Sequence, residues 1–423
     1  MLLLSIIVII FAKYFVLLMA LGFCNDPEKL AITIEFTRIM FPSVLFLSLS
    51  AIYGGVLISN QKFGWYTVCP LLINIVLIVS ILIARNTSVQ GKGLAYGVFI
   101  STTIQYIYLY IVLKCQNLIT PKLTVTRMTS SIKQFLKKLT PVIASAAVAQ
   151  INVFIDSFFS SYLFTGCVTY LYFADRLNQL PLALFGISMS IILLPEISKK
   201  LTLEHNESHS TNELQKLYRD SILFTLRLTL PVVVIMSILS YYFINIIYGH
   251  GKFTQSDVYN TALVLRIMCL GLPAYVLSKI LSSILFAQKN TKTPIKAAII
   301  SISSNILLNA LLTIKFHFVG IAIATMISGY IQMIVLSRYL HNIQVFDKSF
   351  IKKISKIILS TFGMAITILM LQQIEIIHIT NIMVSNTLYL SCYTLIGSIV
   401  YLIILLLLHD DAILKIYNKL RKQ

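Results

Sequence analysis

The sequence is dominated by about twelve apolar stretches, each long enough to cross a lipid bilayer as a helix. A transmembrane helix needs roughly 20 predominantly apolar residues. The stretches cover 2–22, 31–58, 65–85, 93–115, 138–163, 166–195, 221–248, 258–287, 294–314, 318–337, 356–374 and 385–408. Only 12% of the residues are charged, which is too little to cover a soluble protein. The pattern therefore predicts an all-α polytopic membrane protein.

The net charge of +19 comes from 34 Lys and Arg against 15 Asp and Glu. Nucleic-acid binding is one interpretation, but the basic residues lie between apolar spans, which favours membrane topology. They collect in alternate loops, at Lys62 and within 122–138, 199–219, 289–296 and 338–353. Because Lys and Arg concentrate on the cytoplasmic side, we predict that these loops and both chain ends are cytoplasmic.

Few other features of the sequence point to chemistry. The six cysteines are scattered without a CxxC pair, so we predict no metal or redox centre built on them. No nucleotide-binding, esterase or metalloprotease motif occurs, which predicts a transporter and not an enzyme. Segments 128–138 and 411–422 are amphipathic and predict helices lying on the membrane surface, with partner docking as the alternative.

An internal repeat relates the two halves of the chain. The triplet Arg38-Ile39-Met40 recurs 228 residues later as Arg266-Ile267-Met268, and GLAYGVFISTTIQ from Gly93 resembles GIAIATMISGYIQ from Gly320. The repeat matches spans 1 to 4 with spans 7 to 10. An offset of six spans preserves orientation, so we predict two lobes related as parallel repeats.

The repeat also predicts how the chain divides. Spans 5 and 6 open the second lobe, and their counterparts in the first lobe would precede residue 1, so we expect two helices of a complete first lobe to be missing. The predicted parts are an incomplete N-terminal lobe of four helices (1–115), an amphipathic linker (116–137), a C-terminal lobe of six helices (138–340), and a C-terminal helix pair with a basic tail (341–423).

Asp175 and Arg176 are the most informative polar pair inside a span. Arg176 lies ~16 Å along span 6 at 1.5 Å per residue, close to the bilayer midplane. A guanidinium there must face a partner or a wet cavity, and it suits a diphosphate through paired hydrogen bonds. The alternative is an internal ion pair with Asp175. Pro181 and Gly186 predict a broken or thinned helix beside the pair.

A second group of polar residues comes from three spans: Asp156 on span 5, Asn305 and Asn309 on span 9, and Thr325 on span 10. Asn305 and Asn309 share one helix face because they are four residues apart. One acid with amide and hydroxyl oxygens suits a small hard cation such as Na⁺. A proton site and ordinary interhelical hydrogen bonding are the alternatives.

Further basic residues lie inside the spans. Arg38 and Arg266 are equivalent in the repeat, and Lys279 lies further along span 8. We predict that they add positive charge to a substrate cavity, and Arg227 of span 7 is a weaker candidate. Snorkelling to the membrane surface is the alternative for each.

Several stretches resemble one family of transporters. They are TYLYFADRLNQLPLALFGISMSIILLPEIS from Thr169, IIYGHGKFTQSD from Ile246, FAQKNTKTPIKAA from Phe286, and RIMFPSVLFLSLSAIYGGVLISNQKF from Arg38. Together they resemble the MurJ (MviN) family of lipid II flippases, within the multidrug/oligosaccharidyl-lipid/polysaccharide exporter superfamily. The resemblance covers essentially the whole chain.

The resemblance implies a flippase that moves the undecaprenyl-diphosphate-linked peptidoglycan precursor between leaflets of the bacterial inner membrane. It implies a cationic cavity between the lobes and a groove for the lipid tail at spans 11 and 12. Arg176 falls on the family's cavity arginine. Asp156, Asn305, Asn309 and Thr325 fall on a sodium site of some members, although Asn309 stands where an acid can occur. The family's arginines on its first two helices have no counterpart here.

The sequence alone therefore leaves three functions open: a lipid II flippase, a related exporter of another polyprenyl-linked glycan or a drug, and a transport-inactive remnant. The intramembrane Arg176 favours the first. The expected partners are the lipid-linked precursor and membrane lipids, without nucleic acid, and the chain is expected to be a monomer. No cofactor is expected beyond coupling to Na⁺ or protons.

Overall fold

The computed structural model describes residues 1–85, 90–118, 130–203, 210–340, 347–373 and 382–410, together with Leu414. All regular structure in these ranges is helical. The helices are α1 (Leu2–Ile10), α2 (Ala12–Met19), α3 (Pro27–Met40), α4 (Ser43–Ser59), α5 (Phe63–Thr67), α6 (Cys69–Ala84), α7 (Gln90–Cys115), α8 (Ser130–Ser161), α9 (Cys167–Pro181), α10 (Ser188–Leu203), α11 (Ser210–Ile238), α12 (Ser240–Tyr248), α13 (Gln255–Ala287), α14 (Lys292–Leu340), α15 (Lys348–Gln372) and α16 (Ile382–Leu407). A 3₁₀ turn covers Leu21–Asn25, and a π-helical turn covers Leu182–Ile187.

The described helices confirm an all-helical, multi-pass membrane protein. Nine are long and apolar enough to cross a membrane among the residues described, or ten if the bent pair α1 and α2 forms one span. One of the nine, Lys292–Tyr339, has 48 residues and would be ~72 Å long as a single helix, twice what a bilayer core needs. It is broken at His317, where φ is 50° and ψ is −132°, and so supplies spans 9 and 10. Helix α8 coincides with span 5.

The chain forms two compact units, Met1–Thr140 and Pro141–Gln423. The core of the first unit is built on Leu57, Leu109 and Leu113, beside the stacked rings of Tyr53 and Tyr106. In the second unit, α13 runs through the core. Of its most apolar segment 67% is buried, whereas the corresponding value for the span Phe63–Ala84 of the first unit is 11%. A helix apolar on all faces belongs inside a bundle. The finer division into linker, lobe and C-terminal pair stays a prediction. Residues 130–138 of the first amphipathic segment form the start of α8, and most of the second segment, 411–422, lies outside the described residues.

The 228-residue repeat recurs in the backbone as a pair of helix breaks. The apolar stretches give spans 1 and 7 as single segments, and the structure shows a helix break in each. The break between α1 and α2 lies at Phe11 (φ −96°, ψ 25°), and that between α11 and α12 lies at Leu239 (φ −93°, ψ 17°). Helices α1 and α2 are bent by 86°. A break at equivalent positions in both units is a feature of the repeat and not an accident of one helix.

An arginine donates to the backbone beside each break. The Nε atom of Arg38 donates to the carbonyl of Ile9 at 3.3 Å, and that of Arg266 donates to the carbonyl of Ser237 at 3.2 Å. Both carbonyls lie two residues before the break. In a continuous helix each would accept from the backbone N–H four residues further on, but the break displaces that donor. An unsatisfied carbonyl in a membrane is costly, so these arginines stabilise the broken helices. Their predicted role as cavity cations stays a prediction.

We expect Arg266→Leu to lower the free energy of unfolding by about 1–2 kcal/mol, because it removes a charged donor from the carbonyl of Ser237. Arg338→Leu is the matched control, since Arg338 is also an exposed arginine on a helix. SDS-induced unfolding of the purified protein measures both. Equal stability of the two variants would show that the bond at the break contributes nothing.

Candidate functional site

The four polar residues predicted as an ion site come together in the second unit. The Nδ2 atom of Asn309 donates to one carboxylate oxygen of Asp156 at 3.0 Å, and the hydroxyl of Thr325 donates to the other at 2.9 Å. Asn309 Nδ2 also donates to Asn305 Oδ1 at 3.1 Å, and Asn305 Nδ2 donates to Thr325 Oγ1 at 3.3 Å. The two halves of α14 and helix α8 are therefore joined through a closed ring of hydrogen bonds.

The oxygen set of this cluster fits a small hard cation. Asn305 and Asn309 are fully buried, and Asn309 Oδ1 has no hydrogen-bond partner among the described residues. An orphaned buried acceptor is costly unless it gains a donor or a cation. Amide rotation exchanges oxygen for nitrogen at either asparagine, so the carboxylate, two amide oxygens and one hydroxyl can face one ion. Such a set resembles the ligands that hard cations prefer.

Sodium is expected to stabilise the purified protein against heat through this cluster. A ligand that binds only the folded state adds about 2.7 kcal/mol at 100 times its dissociation constant. Melting in NaCl and in choline chloride should therefore differ, and Asp156→Asn should remove the difference. Asp220→Asn, at an exposed acid on α11, is the control that keeps it. Identical melting of the unmodified protein in both salts would exclude a sodium site.

Arg176 lies on α9 without an acid to neutralise it among the described ion pairs. Its Nη2 atom donates to the hydroxyl of Tyr172 at 2.8 Å, and the guanidinium carbon lies 4.7 Å from the centre of that ring. Asp175 instead accepts from Gln179. The side chain of Arg176 is exposed, and a pair with Asp175 is not among the described ion pairs. The other N–H groups of the guanidinium can therefore donate hydrogen bonds to an anion.

The helix that carries Arg176 is interrupted one turn further on, as Pro181 and Gly186 predicted. Helix α9 ends at Pro181 and continues through the π-helical turn Leu182–Ile187 into α10. A Cβ atom on Gly186 would lie 3.2 Å from Cδ1 of Leu182 and 3.4 Å from Cα of Val276 on α13, so a larger residue there would require Leu182 to shift slightly. Such π-helical turns are frequent at functional sites.

The remaining basic candidates of the second unit, Lys279 and Arg227, have different surroundings. Lys279 is exposed on α13 and lines a separate cavity of the second unit. Arg227 pairs with Asp410, its Nη2 atom lying 2.9 Å from the carboxylate. The Arg227 side chain is 13% exposed and that of Asp410 is 1% exposed. The sequence reasoning missed Asp410, although an acid directly after an apolar span was a usable signal.

Comparison with protein families decides where the chain belongs. The family model described as "Lipid II flippase MurJ" matches residues 1–408. The chain belongs to the MurJ family. Curated MurJ relatives include the probable lipid II flippases of Rickettsia prowazekii (strain Madrid E), 34% identical over 330 residues, and of Buchnera aphidicola subsp. Acyrthosiphon pisum (strain APS), 32% identical over 342 residues. These matches cover 78% and 80% of this chain, but only 64% and 66% of the relatives.

Solved structures agree with membership of the MurJ family. A structure described as "Lipid II flippase MurJ, inward closed conformation" superposes with a TM-score of 0.80 at 29% identity, covering 97% of this chain and 81% of that one. An inward-facing multidrug resistance MATE family transporter of the MOP superfamily superposes with a TM-score of 0.63 at 15% identity, covering 81% and 80%. The second likeness shows a shared fold alone. The family resemblance drawn from the sequence is confirmed.

Proposed function

We propose that the protein is a lipid II flippase, which moves the undecaprenyl-diphosphate-linked peptidoglycan precursor from the inner to the outer leaflet. Membership of the MurJ family supports this assignment. The carrying observation is Arg176, a cation on a transmembrane helix that lacks an acidic partner among the described ion pairs. A charge in that position needs a counter-charge or water, and the precursor brings a diphosphate.

Arg176 is proposed to hold the diphosphate, with Asp175, Arg38, Arg266 and Lys279 as further members of the substrate region. Arginine presents several N–H donors in a plane and grips two phosphate oxygens at once. Tyr172 stacks against the guanidinium and leaves part of its donor set open. The tyrosine thereby fixes the direction of the arginine before the substrate arrives.

Alternating access is the proposed cycle, in which the lobes rock about the substrate while the lipid tail stays in the bilayer. Na⁺ or a proton at Asp156, Asn305, Asn309 and Thr325 is the proposed coupling ion. The ion would supply positive charge between α8 and α14 and hold the two together. One elementary charge crossing 100 mV is worth ~2.3 kcal/mol, enough to bias a step.

The proposed location is the bacterial inner membrane, with the basic loops and both chain ends in the cytoplasm. The predicted partners are the lipid-linked precursor and surrounding lipids, and the protein is proposed to act as a monomer. A cysteine-labelling scan with a membrane-impermeant reagent tests the orientation. A cysteine placed at Lys252 should react in intact cells, and one placed at Lys216 only after lysis.

Genetic replacement tests the proposed function. The gene is expressed in a bacterium whose own lipid II flippase is depleted, and growth and cell shape are followed. We expect growth to be restored by the unmodified gene, with lipid-linked precursor returning to its normal level. Well-expressed, membrane-inserted protein that restores neither would contradict the proposal.

A further inference from the structure

Another cavity of the second unit lies between α11 and the start of α15. It has a volume of about 340 Å³, and its described lining includes neither Arg176 nor any member of the Asp156 cluster. Five charged residues line it: Lys216, Arg219 and Asp220 on α11, and Asp347 and Lys353 at the beginning of α15. We call this space the α11–α15 pocket.

The α11–α15 pocket lies where both helices change from a polar to an apolar sequence. In α11 the charged residues cluster in 210–220, and 221–238 contains only Arg227. In α15 they cluster in 348–356, and 357–372 contains none. Both helices are long and apolar enough to cross a membrane, and their charged ends belong to loops predicted to be cytoplasmic. The pocket is therefore placed at the level of the lipid headgroups of the cytoplasmic leaflet.

One ion pair within the α11–α15 pocket joins the two helices. Charged atoms of Arg219 and Asp347 lie 2.8 Å apart. Asp347 also accepts the backbone N–H of Phe350 at 2.7 Å and so caps α15. Lys216 and Asp220, one helical turn apart on α11, form no ion pair among the described residues, and both are exposed. The pocket therefore offers a cation and an anion side by side.

The mixed charge of the α11–α15 pocket indicates what kind of molecule fits it. An anion would be attracted by Lys216 and Lys353 but repelled by Asp220, and a cation would meet the reverse. A zwitterion with an ammonium and a phosphate satisfies both signs. The phospholipid phosphatidylethanolamine carries this combination, and its primary ammonium has three N–H donors. Phosphatidylglycerol has no cation, and the quaternary ammonium of phosphatidylcholine has no N–H donor.

Apolar side chains extend the α11–α15 pocket in the direction of the membrane. Leu223 and Phe350 form its apolar side, each 2% exposed and part of the hydrophobic core. Phe224 on α11 is 51% exposed, and Ile351 on α15 is 58% exposed. Each of these two lies one helical turn deeper in the membrane than the acid that its helix contributes to the pocket. A polar pocket followed by exposed apolar side chains matches a headgroup followed by acyl chains.

We propose that the α11–α15 pocket binds the headgroup of phosphatidylethanolamine from the cytoplasmic leaflet. Asp220 accepts hydrogen bonds from the ammonium, while Lys216 and Lys353 donate to the phosphate. The acyl chains run along Phe224 and Ile351. Basic pockets between transmembrane helices on the cytoplasmic side bind lipid headgroups, and the acid of this pocket adds selectivity for the zwitterion. The bound lipid would attach the start of the C-terminal helix pair to α11.

Native mass spectrometry of the purified full-length protein tests the site. The protein is titrated separately with phosphatidylethanolamine, phosphatidylcholine and phosphatidylglycerol of identical acyl chains. We expect phosphatidylethanolamine to bind roughly fivefold more tightly than phosphatidylcholine, the effect of one exposed ion pair. Asp220→Asn should remove this preference, and Asp220→Glu should keep it. Glu28→Gln, at an exposed acid of the first unit, is the matched control that leaves the preference unchanged.

The phosphate half of the site has its own variant. Lys216→Gln should weaken binding of all three lipids, because each carries a phosphate. Lys292→Gln, at an exposed lysine of α14 outside the lining, is the matched control and should bind normally. Ser349→Trp provides a second route if a charge variant does not fold, because it fills the pocket from an exposed position without changing charge. It should also weaken binding of phosphatidylethanolamine.

Two results would overturn the phosphatidylethanolamine site. One is equal affinity for this lipid in the unmodified protein, Asp220→Asn and Ser349→Trp. The other is binding of phosphatidylcholine or phosphatidylglycerol by the unmodified protein at least as tight as that of phosphatidylethanolamine. The site does not depend on the flippase assignment. Lipid binding is measured at equilibrium on purified protein, so its failure is distinguishable from failure of growth rescue, which tests the flippase function.

Discussion

Arg227→Met is expected to lower the free energy of unfolding by about 3–5 kcal/mol, the usual cost of removing one partner from a buried ion pair. The cost arises because the Asp410 carboxylate, 1% exposed, would lose the guanidinium whose Nε and Nη2 atoms lie 3.3 and 2.9 Å away. Asp410 follows the turn after α16, where His409 has φ of 53° and the backbone N–H of Asp410 donates to the carbonyl of Leu405 at 3.1 Å. SDS-induced unfolding of purified variants measures the change.

The matched control for this prediction is the exposed pair of Arg219 and Asp347. Their charged atoms lie 2.8 Å apart, but the side chains are 25% and 44% exposed. Arg219→Met should therefore cost no more than about 1 kcal/mol. The double variant Arg227→Met with Asp410→Leu should recover most of the stability, since no buried charge remains. A cost for Arg227→Met as small as that for Arg219→Met would contradict the account.

The pair of Arg227 and Asp410 also fixes the C-terminal helices to α11. The hydroxyl of Tyr401 on α16 donates to the carbonyl of Arg227 at 2.8 Å, and Lys356 on α15 donates to the carbonyl of His409 at 2.9 Å. These bonds gather α11, α15 and α16 at one end. In the proposed flippase, this arrangement would hold the groove for the lipid tail in place.

Arg176→Ala is expected to abolish growth rescue in the depletion strain while leaving the protein folded. The guanidinium makes one hydrogen bond within the described residues, to Tyr172, so its removal costs little stability. A charge-assisted hydrogen bond is worth about 1.5–3 kcal/mol, or roughly 10- to 150-fold in affinity. Loss of two such bonds to a diphosphate would stop transport at cellular substrate concentrations.

Two variants at this position separate charge from packing. Arg176→Lys keeps the charge but loses the paired geometry, so we expect slow growth. Tyr172→Phe keeps the aromatic ring under the guanidinium and removes only the hydroxyl, so we expect nearly normal growth. Full rescue by Arg176→Ala at normal expression would show that Arg176 does not bind the substrate.

The sequence predicted the Asp156 cluster because each member carries a local signal. Asn305 and Asn309 share a helix face by spacing alone, and an acid inside a span is rare enough to be placed for a reason. The hydrogen bond between Asp156 and Thr325 joins residues 169 positions apart. The positions of the spans in the sequence could not predict this contact, because it depends on how α8 packs against α14.

Other features left no local signal. Spans 1 and 7 break at Phe11 and Leu239, neither of which is a glycine or a proline. The break in span 1 is accompanied by a tertiary hydrogen bond from Arg38 to the carbonyl of Ile9, which no local pattern predicts.

The side of the membrane on which the precursor lies tests the central claim most directly. Cells depleted of their own flippase and expressing this gene are treated from outside with an impermeant enzyme that cleaves lipid II, and the cleaved fraction is quantified. The account predicts that cleavage returns to the level of undepleted cells with the unmodified gene and stays near background with Arg176→Ala. A precursor that remains protected from the enzyme, although the unmodified protein is present in the membrane, would contradict the assignment as a flippase.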